Sequence, residues 1–196
     1  MRGALPFSGP EIWRGEARSA EGQSPLPPST PAPGPDDMVL TPTQLLFRGR
    51  RFPRALGKGG LTADKREGDG ATPRGVLRLT GCLYRPDRIA RPNLWARPIG
   101  PGDLWSDDPD RPDYNHHVHA PYSGSHERLR RADPLYDLVF LTDWNWPDSV
   151  PGRGSAIFLH QWRRPRFPTE GCIAFRREHL QWITARAVPG GRIFIP

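Results

Sequence analysis

Ala156-Ile157-Phe158-Leu159-His160, followed after a short loop by Thr169-Glu170-Gly171-Cys172-Ile173, is the stretch on which the reading of this chain turns. Its β-branched, aromatic and aliphatic residues predict a buried strand over 154–160, with His160 at the end, where a side chain leaves the core and meets a loop. The loop runs through Arg163, Arg164 and Pro165 and returns to a cysteine preceded by glycine. A free thiol with a pKa near ~8.5 is mostly protonated at neutral pH, so a cysteine nucleophile needs a base, and an imidazole can take its proton. Gly171 allows close backbone approach and lets adjacent N–H groups face a developing oxyanion. The pattern points to a cysteine acyl-transfer enzyme, although a single His–Cys pair at this separation also occurs in proteins without such chemistry.

Outward from this stretch, strand-like runs recur at 38–41, 44–47, 51–56, 75–84, 135–143 and 192–195, punctuated by glycine and proline, as in a mostly β domain. Residues 85–113 carry six prolines and two tryptophans and read as a long loop. One helix is expected over 176–187, where Leu180, Ile183 and Ala187 recur at helical spacing before Pro189-Gly190-Gly191. Residues 1–37 hold eight prolines and almost no periodic apolar pattern, so a disordered or polyproline-like tail is expected, with the catalytic domain over 38–196. Met38 opens the first patterned stretch, and translation from it would remove the tail.

The chain carries a net charge of +7, and 26 of its 28 basic residues are arginine. Arginine's planar fork suits carboxylates, but the arginines are scattered and form no long basic block, so nucleic acid is not assigned as a partner. No apolar run approaches the roughly 20 residues needed to span a bilayer, and the first forty residues lack the features of a secretory signal. Cys82 lies in the alternating run 76–84 and is expected inside as a small apolar residue, which leaves Cys172 for chemistry. A second chemistry deserves a place. His116, His117, His119 and His126 with Glu127 could ligate zinc, but neither His-Glu-x-x-His nor Cys-x-x-Cys is present, so no metal is assigned.

The segment 155–175 resembles the catalytic signature of the YkuD-type L,D-transpeptidases, in which a histidine precedes Ser-x-Gly-Cys and an apolar residue by about a dozen positions. A second motif agrees: Gly70-Ala71-Thr72-Pro73-Arg74-Gly75 is similar to the family's early Thr-Pro-x-Gly turn. The resemblance spans 38–196 and implies a mixed β-sandwich with a helix after the catalytic cysteine, acting on peptidoglycan stem peptides without a cofactor. It implies Cys172 as nucleophile, His160 as general base, and Gly171 with Cys172 as oxyanion donors. Thr169 stands where serine is usual, Gln161 where glycine is common, and Ala174 where many members have arginine; Arg176 or Arg177 can replace that arginine or remain solvated. The resemblance suggests that His126 and Glu127 orient a stem peptide, against a purely structural role, and Trp144, Trp146 and Trp162 either line the cleft or fill core and rim. Cross-linking is the expected reaction; hydrolysis by the same dyad, as in an L,D-carboxypeptidase or amidase, and non-catalytic peptidoglycan binding are the rivals. A monomer working in the periplasm is expected, with a cytoplasmic enzyme acting on precursors or recycled peptides as the alternative that the missing signal favours.

Overall fold

Fourteen strands and one helix build the domain in a computed structural model that describes residues 32–196. In chain order they are β1 (Met38–Leu40), β2 (Gln44–Phe47), β3 (Arg50–Ala55), β4 (Leu61–Thr62), β5 (Thr72–Pro73), β6 (Gly75–Tyr84), β7 (Ala96–Pro98) and β8 (Asp103–Ser106). They continue with β9 (His117–His119), β10 (His126–Arg128), β11 (Leu138–Thr142), β12 (Leu159–Gln161), β13 (Ile173–Phe175), α1 (Arg177–Thr184) and β14 (Arg192–Ile195). The architecture is mostly β, as expected. The first hairpin is set locally: Arg48 and Gly49 have φ +45° and +72°, the left-handed pair that matches the twist of two strands joined by a two-residue turn.

Nine strands pair in the order β11-β12-β13-β3-β2-β1-β14-β6-β7, and a further β11–β6 pairing closes the sandwich on itself. The long strand β6 makes that closure. Its first residues, Gly75 to Arg78, pair with β14, while Leu79 to Tyr84 pair with β11. At the opposite edge β3 pairs with β2 through Arg50–Pro53 and with β13 through Arg54 and Ala55. The enclosed core holds Leu45, Leu79, Phe140, Leu159, Ile173 and Phe175, and Cys82 is buried in it as expected. Helix α1 buries Leu180 and Ile183, while Trp182 packs on Phe52 at 5.2 Å between ring centroids. It ends at Thr184, three residues before the expected end; the chain then leaves helical geometry, but Ala187 is still buried as its spacing required.

Two expectations are corrected. Residues 85–113 are not one long loop: β7 adds in parallel to β6, and β8 is the central strand of a separate sheet ordered β10-β8-β9. Both gain their hydrogen bonds from distant segments, which no local pattern announces. The expected strand over 154–160 is extended only from Leu159, so His160 is its middle residue and not its end. Gly154 and Ala156 have φ +88° and +50°, conformations no strand can hold. The side chain of Asn115 keeps Ala156 there by accepting its N–H at 3.0 Å.

Of the expected tail, residues 1–31 lie outside the described residues. Asp36 and Asp37 do not belong to a free tail: Arg192 donates to Asp37 from Nε and Nη2 at 2.9 and 2.5 Å, and Arg48 donates to Asp36 at 2.5 Å.

Candidate active site

Strands β12 and β13 are parallel neighbours, with Leu159 opposite Ile173 and His160 opposite Ala174. Because side chains alternate, Leu159, Ile173 and Phe175 enter the sandwich core, whereas His160, Ala174 and Cys172, just before β13, share the other face. The eleven residues between the two strands therefore form a loop that returns the cysteine to the histidine's face. Apolar residues at alternate positions fix this register, since a one-residue slip would exchange the two faces.

The Cys172 thiol donates to the Ala156 carbonyl at 3.0 Å and receives the Phe158 N–H at 3.4 Å. Cys172 keeps some accessible surface, but crowding around its sulfur pushes the thiol up to about 12; the Phe158 N–H and Lys65 oppose that rise, and Glu127 adds to it. His160 is buried, which depresses its imidazole to about 4. Its Nδ1 faces the Gln161 carbonyl at 2.7 Å; a carbonyl can only accept, so Nδ1 carries the proton and Nε2 is the basic nitrogen. The resting pair is thus a neutral thiol and a neutral imidazole.

The loop holding Cys172 is braced by the second sequence motif. Thr72 in β5 donates its hydroxyl to the Gly171 carbonyl at 2.8 Å and accepts the Gly57 N–H at 3.0 Å. Thr169 closes the loop from within, donating to the Cys172 carbonyl at 2.6 Å and accepting the Gly171 N–H at 3.2 Å. Glycines make this close packing possible. Gly171 has φ +138°, and a Cβ on Gly57 would meet the Gly70 carbonyl at 2.2 Å and Gly171 Cα at 2.9 Å.

The small sheet roofs this face. Trp105 in β8 meets Phe158 edge-on at 5.1 Å and donates its indole N–H to Asn115 Oδ1 at 3.0 Å. Asn115 also donates to the Trp144 and Asn145 carbonyls, so one buried amide ties the roof, the 144–145 turn and Ala156 together. Tyr136 stands edge-on to His160 at 5.3 Å and donates its hydroxyl to Glu127 Oε2 at 2.9 Å. Burial raises both the Glu127 carboxyl and the Tyr136 phenol above their ordinary values.

The other expected site residues divide. Glu127 is opposite Trp105 and shares its face, but His126 is opposite Ser106 on the reverse face, its Nδ1 2.8 Å from the Gly124 carbonyl. Arg176 is exposed, paired with Glu178 at 3.0 Å, and Trp162 is half-buried where β12 ends. Trp144 packs against the main core, its indole donating to the Arg153 carbonyl at 3.1 Å. The histidine-rich stretch does not assemble as one set, since His116 Nδ1 lies 2.8 Å from the Tyr114 carbonyl and Glu127 is engaged by Tyr136. His117 and His119 instead converge on Asp103. Asn115 and Tyr136 escaped the sequence reading. Asn115 had one signal, a residue type that tolerates the φ of +58° it adopts; Tyr136 had none.

Beside the cysteine loop, Arg54, Lys58, Arg74 and Arg166 bound a groove of about 620 Å³. Arg54 leaves its buried Nε without a partner among the described residues. The groove belongs to the same wall as the loop, because Lys58 N–H donates to the Thr169 carbonyl at 2.8 Å.

A family model for the L,D-transpeptidase catalytic domain, YkuD, matches residues 40–195. No curated protein and no solved structure gives a match. The matched region contains the Thr72 turn, the His160 strand and the Cys172 loop, which the fold brings into contact. The chain belongs to the YkuD family of L,D-transpeptidase catalytic domains.

Proposed function

We propose that the protein forms peptidoglycan cross-links by L,D-transpeptidation through a thioester on Cys172. The observation that carries this reading is the shared face of His160 in β12 and Cys172 at the entry to the parallel neighbour β13, with Nε2 left basic by the Nδ1–H bond to Gln161. For attack, the thiol turns from the Ala156 carbonyl and gives its proton to Nε2 as sulfur bonds to the stem-peptide carbonyl. The leaving amine takes that proton and departs, giving the thioester. An amine of a second stem then attacks the thioester carbonyl as His160 accepts its proton, and the C–S bond breaks as His160 returns that proton to the departing Cys172 sulfur, restoring the thiol and the neutral imidazole. With the Gly171 N–H bonded to Thr169, the Cys172 N–H is the oxyanion donor in this scheme. The arginine-lined groove beside the loop suits the carboxylates of stem peptides. Such substrates place the work in the periplasm, and fractionation that recovers the protein solely with a cytoplasmic marker would count against it.

Muropeptides incubated with the protein and analysed by mass spectrometry test the reaction. New dimers, absent with Cys172→Ala, support transpeptidation. Trimmed monomers alone would assign a hydrolase, and no change would remove both enzymatic readings.

A further inference from the structure

Asp103 of β8 sits directly opposite His119 of β9, and His117 lies two residues away on the same face. One carboxylate oxygen, Oδ1, is 3.1 Å from His119 Nδ1 and 3.5 Å from His117 Nε2. The other, Oδ2, accepts the Gly100 N–H at 2.8 Å, which fixes the plane of the carboxylate and turns Oδ1 toward the rings. The two imidazoles stand edge-on at 4.7 Å, and the three ligand atoms all lie within 4.8 Å of one another. Around a tetrahedral ion with bonds of about 2.0–2.1 Å, ligand atoms are separated by roughly 3.4 Å, so small ring rotations convert this cluster into a coordination shell.

In place of the ring N–H groups that face Asp103 Oδ1, a divalent cation seated between the three side chains is bound by one nitrogen of each imidazole and by the carboxylate oxygen. The donor set, two imidazoles and one carboxylate, suits a borderline ion such as Zn²⁺. Asp103 and His117 have side chains only 13 % exposed, while His119 at 57 % borders the solvent from which an ion enters.

We propose that Asp103, His117 and His119 form a zinc-type divalent metal site that clamps β8 to β9. Its three protein ligands leave a fourth position for solvent. The site lies on the face of the roof that carries Trp105, one strand repeat from the indole packed over Phe158. Metal occupancy therefore stiffens the roof above the catalytic strand. This site stands on its own cluster and does not depend on the reaction assigned to Cys172.

The test uses the full chain carrying Cys172→Ser, so that the thiol captures no metal, after stripping with a chelator. Calorimetric titration with ZnCl₂ is expected to show one equivalent bound, with Kd on the order of micromolar or tighter. Added Zn²⁺ should raise the melting temperature, and Co²⁺ should give visible d–d absorption. His119→Gln changes a largely exposed side chain and should weaken binding by about tenfold or more, and His117→Gln with His119→Gln should remove it. Absence of saturable binding in the parent, or binding unaltered in the folded double variant, would overturn the proposal. Should the double variant fail to fold, unchanged affinity in His119→Gln alone would overturn it equally.

Discussion

At Cys172 the thiol is held protonated by crowding and by its bond to the Ala156 carbonyl, so the proposed thioester scheme requires His160 to take its proton. Cys172→Ala should abolish turnover of muropeptides while leaving the circular dichroism spectrum unchanged, whereas Cys82→Ala, remote in the core, should retain turnover; residual activity in the former defeats the thioester scheme. His160→Ala should slow acylation by about 10²–10⁴-fold. Burial of neutral His160 also makes stability depend on pH. Its folded pKa of about 4 lies below the ordinary 6.5, so between these values the unfolded chain binds more protons. The associated stability is fully present above pH 6.5 and is lost as pH falls through 4, up to about 3 kcal/mol. Urea titrations at pH 7 and pH 4 should show a smaller acid loss for His160→Gln than for the parent; equal losses would refute a buried neutral imidazole.

The cysteine loop has no regular structure of its own and depends on the element beside it, β5, whose Thr72 serves two buried backbone groups from one hydroxyl. Thr72→Val keeps the shape and orphans both the Gly171 carbonyl and the Gly57 N–H, which should cost about 2 kcal/mol or more. Gly171→Ala acts on the same contact by another route: at φ +138° a side chain is strained, and its Cβ would lie 3.0 Å from the Ala71 carbonyl. Both variants should lose acylation by a carbapenem, followed as a mass increase on Cys172, faster than they lose melting temperature. A Thr72→Val protein with parental stability and acylation would show that the two motifs are merely adjacent.

Over the whole molecule, closure of the sandwich brings β14 beside β1 and places Arg192 against Asp37. A chain starting at Met38 should fold but melt at a lower temperature than one starting at residue 32, because it loses the fork between Arg192 and Asp37 and the Arg48–Asp36 pair. Equal melting temperatures in low salt would show that these pairs contribute nothing. Folding gathers Arg54, Lys58, Arg74 and Arg166, part of the chain's excess of basic residues, at one groove. Arg74→Glu with Arg166→Glu, both exposed, should raise KM for muropeptides several-fold while leaving kcat nearly intact. A pure kcat effect would exclude the groove as a substrate contact.

The sequence by itself determined the mostly β character and the helix face, because each rests on local patterning: alternating apolar residues, and Leu180, Ile183 and Ala187 at helical spacing; it offered Cys172 and His160 as candidates through the family motif. It also held both family motifs, though not the reason they occur together, which is one hydroxyl bridging residues 72 and 171. Only the tertiary structure decided the roof. Strands β7 to β10 are three or four residues long and acquire partners through distant pairing, and Asn115, Tyr136 and Asp103 gain their contacts from neighbours remote in sequence. The kink at Ala156 follows the same logic, since its local propensity is for a strand and a hydrogen bond from 41 residues away overrides it. Local patterns specify what a segment can form, but the chemistry a side chain performs depends on which groups the closed sheet brings against it.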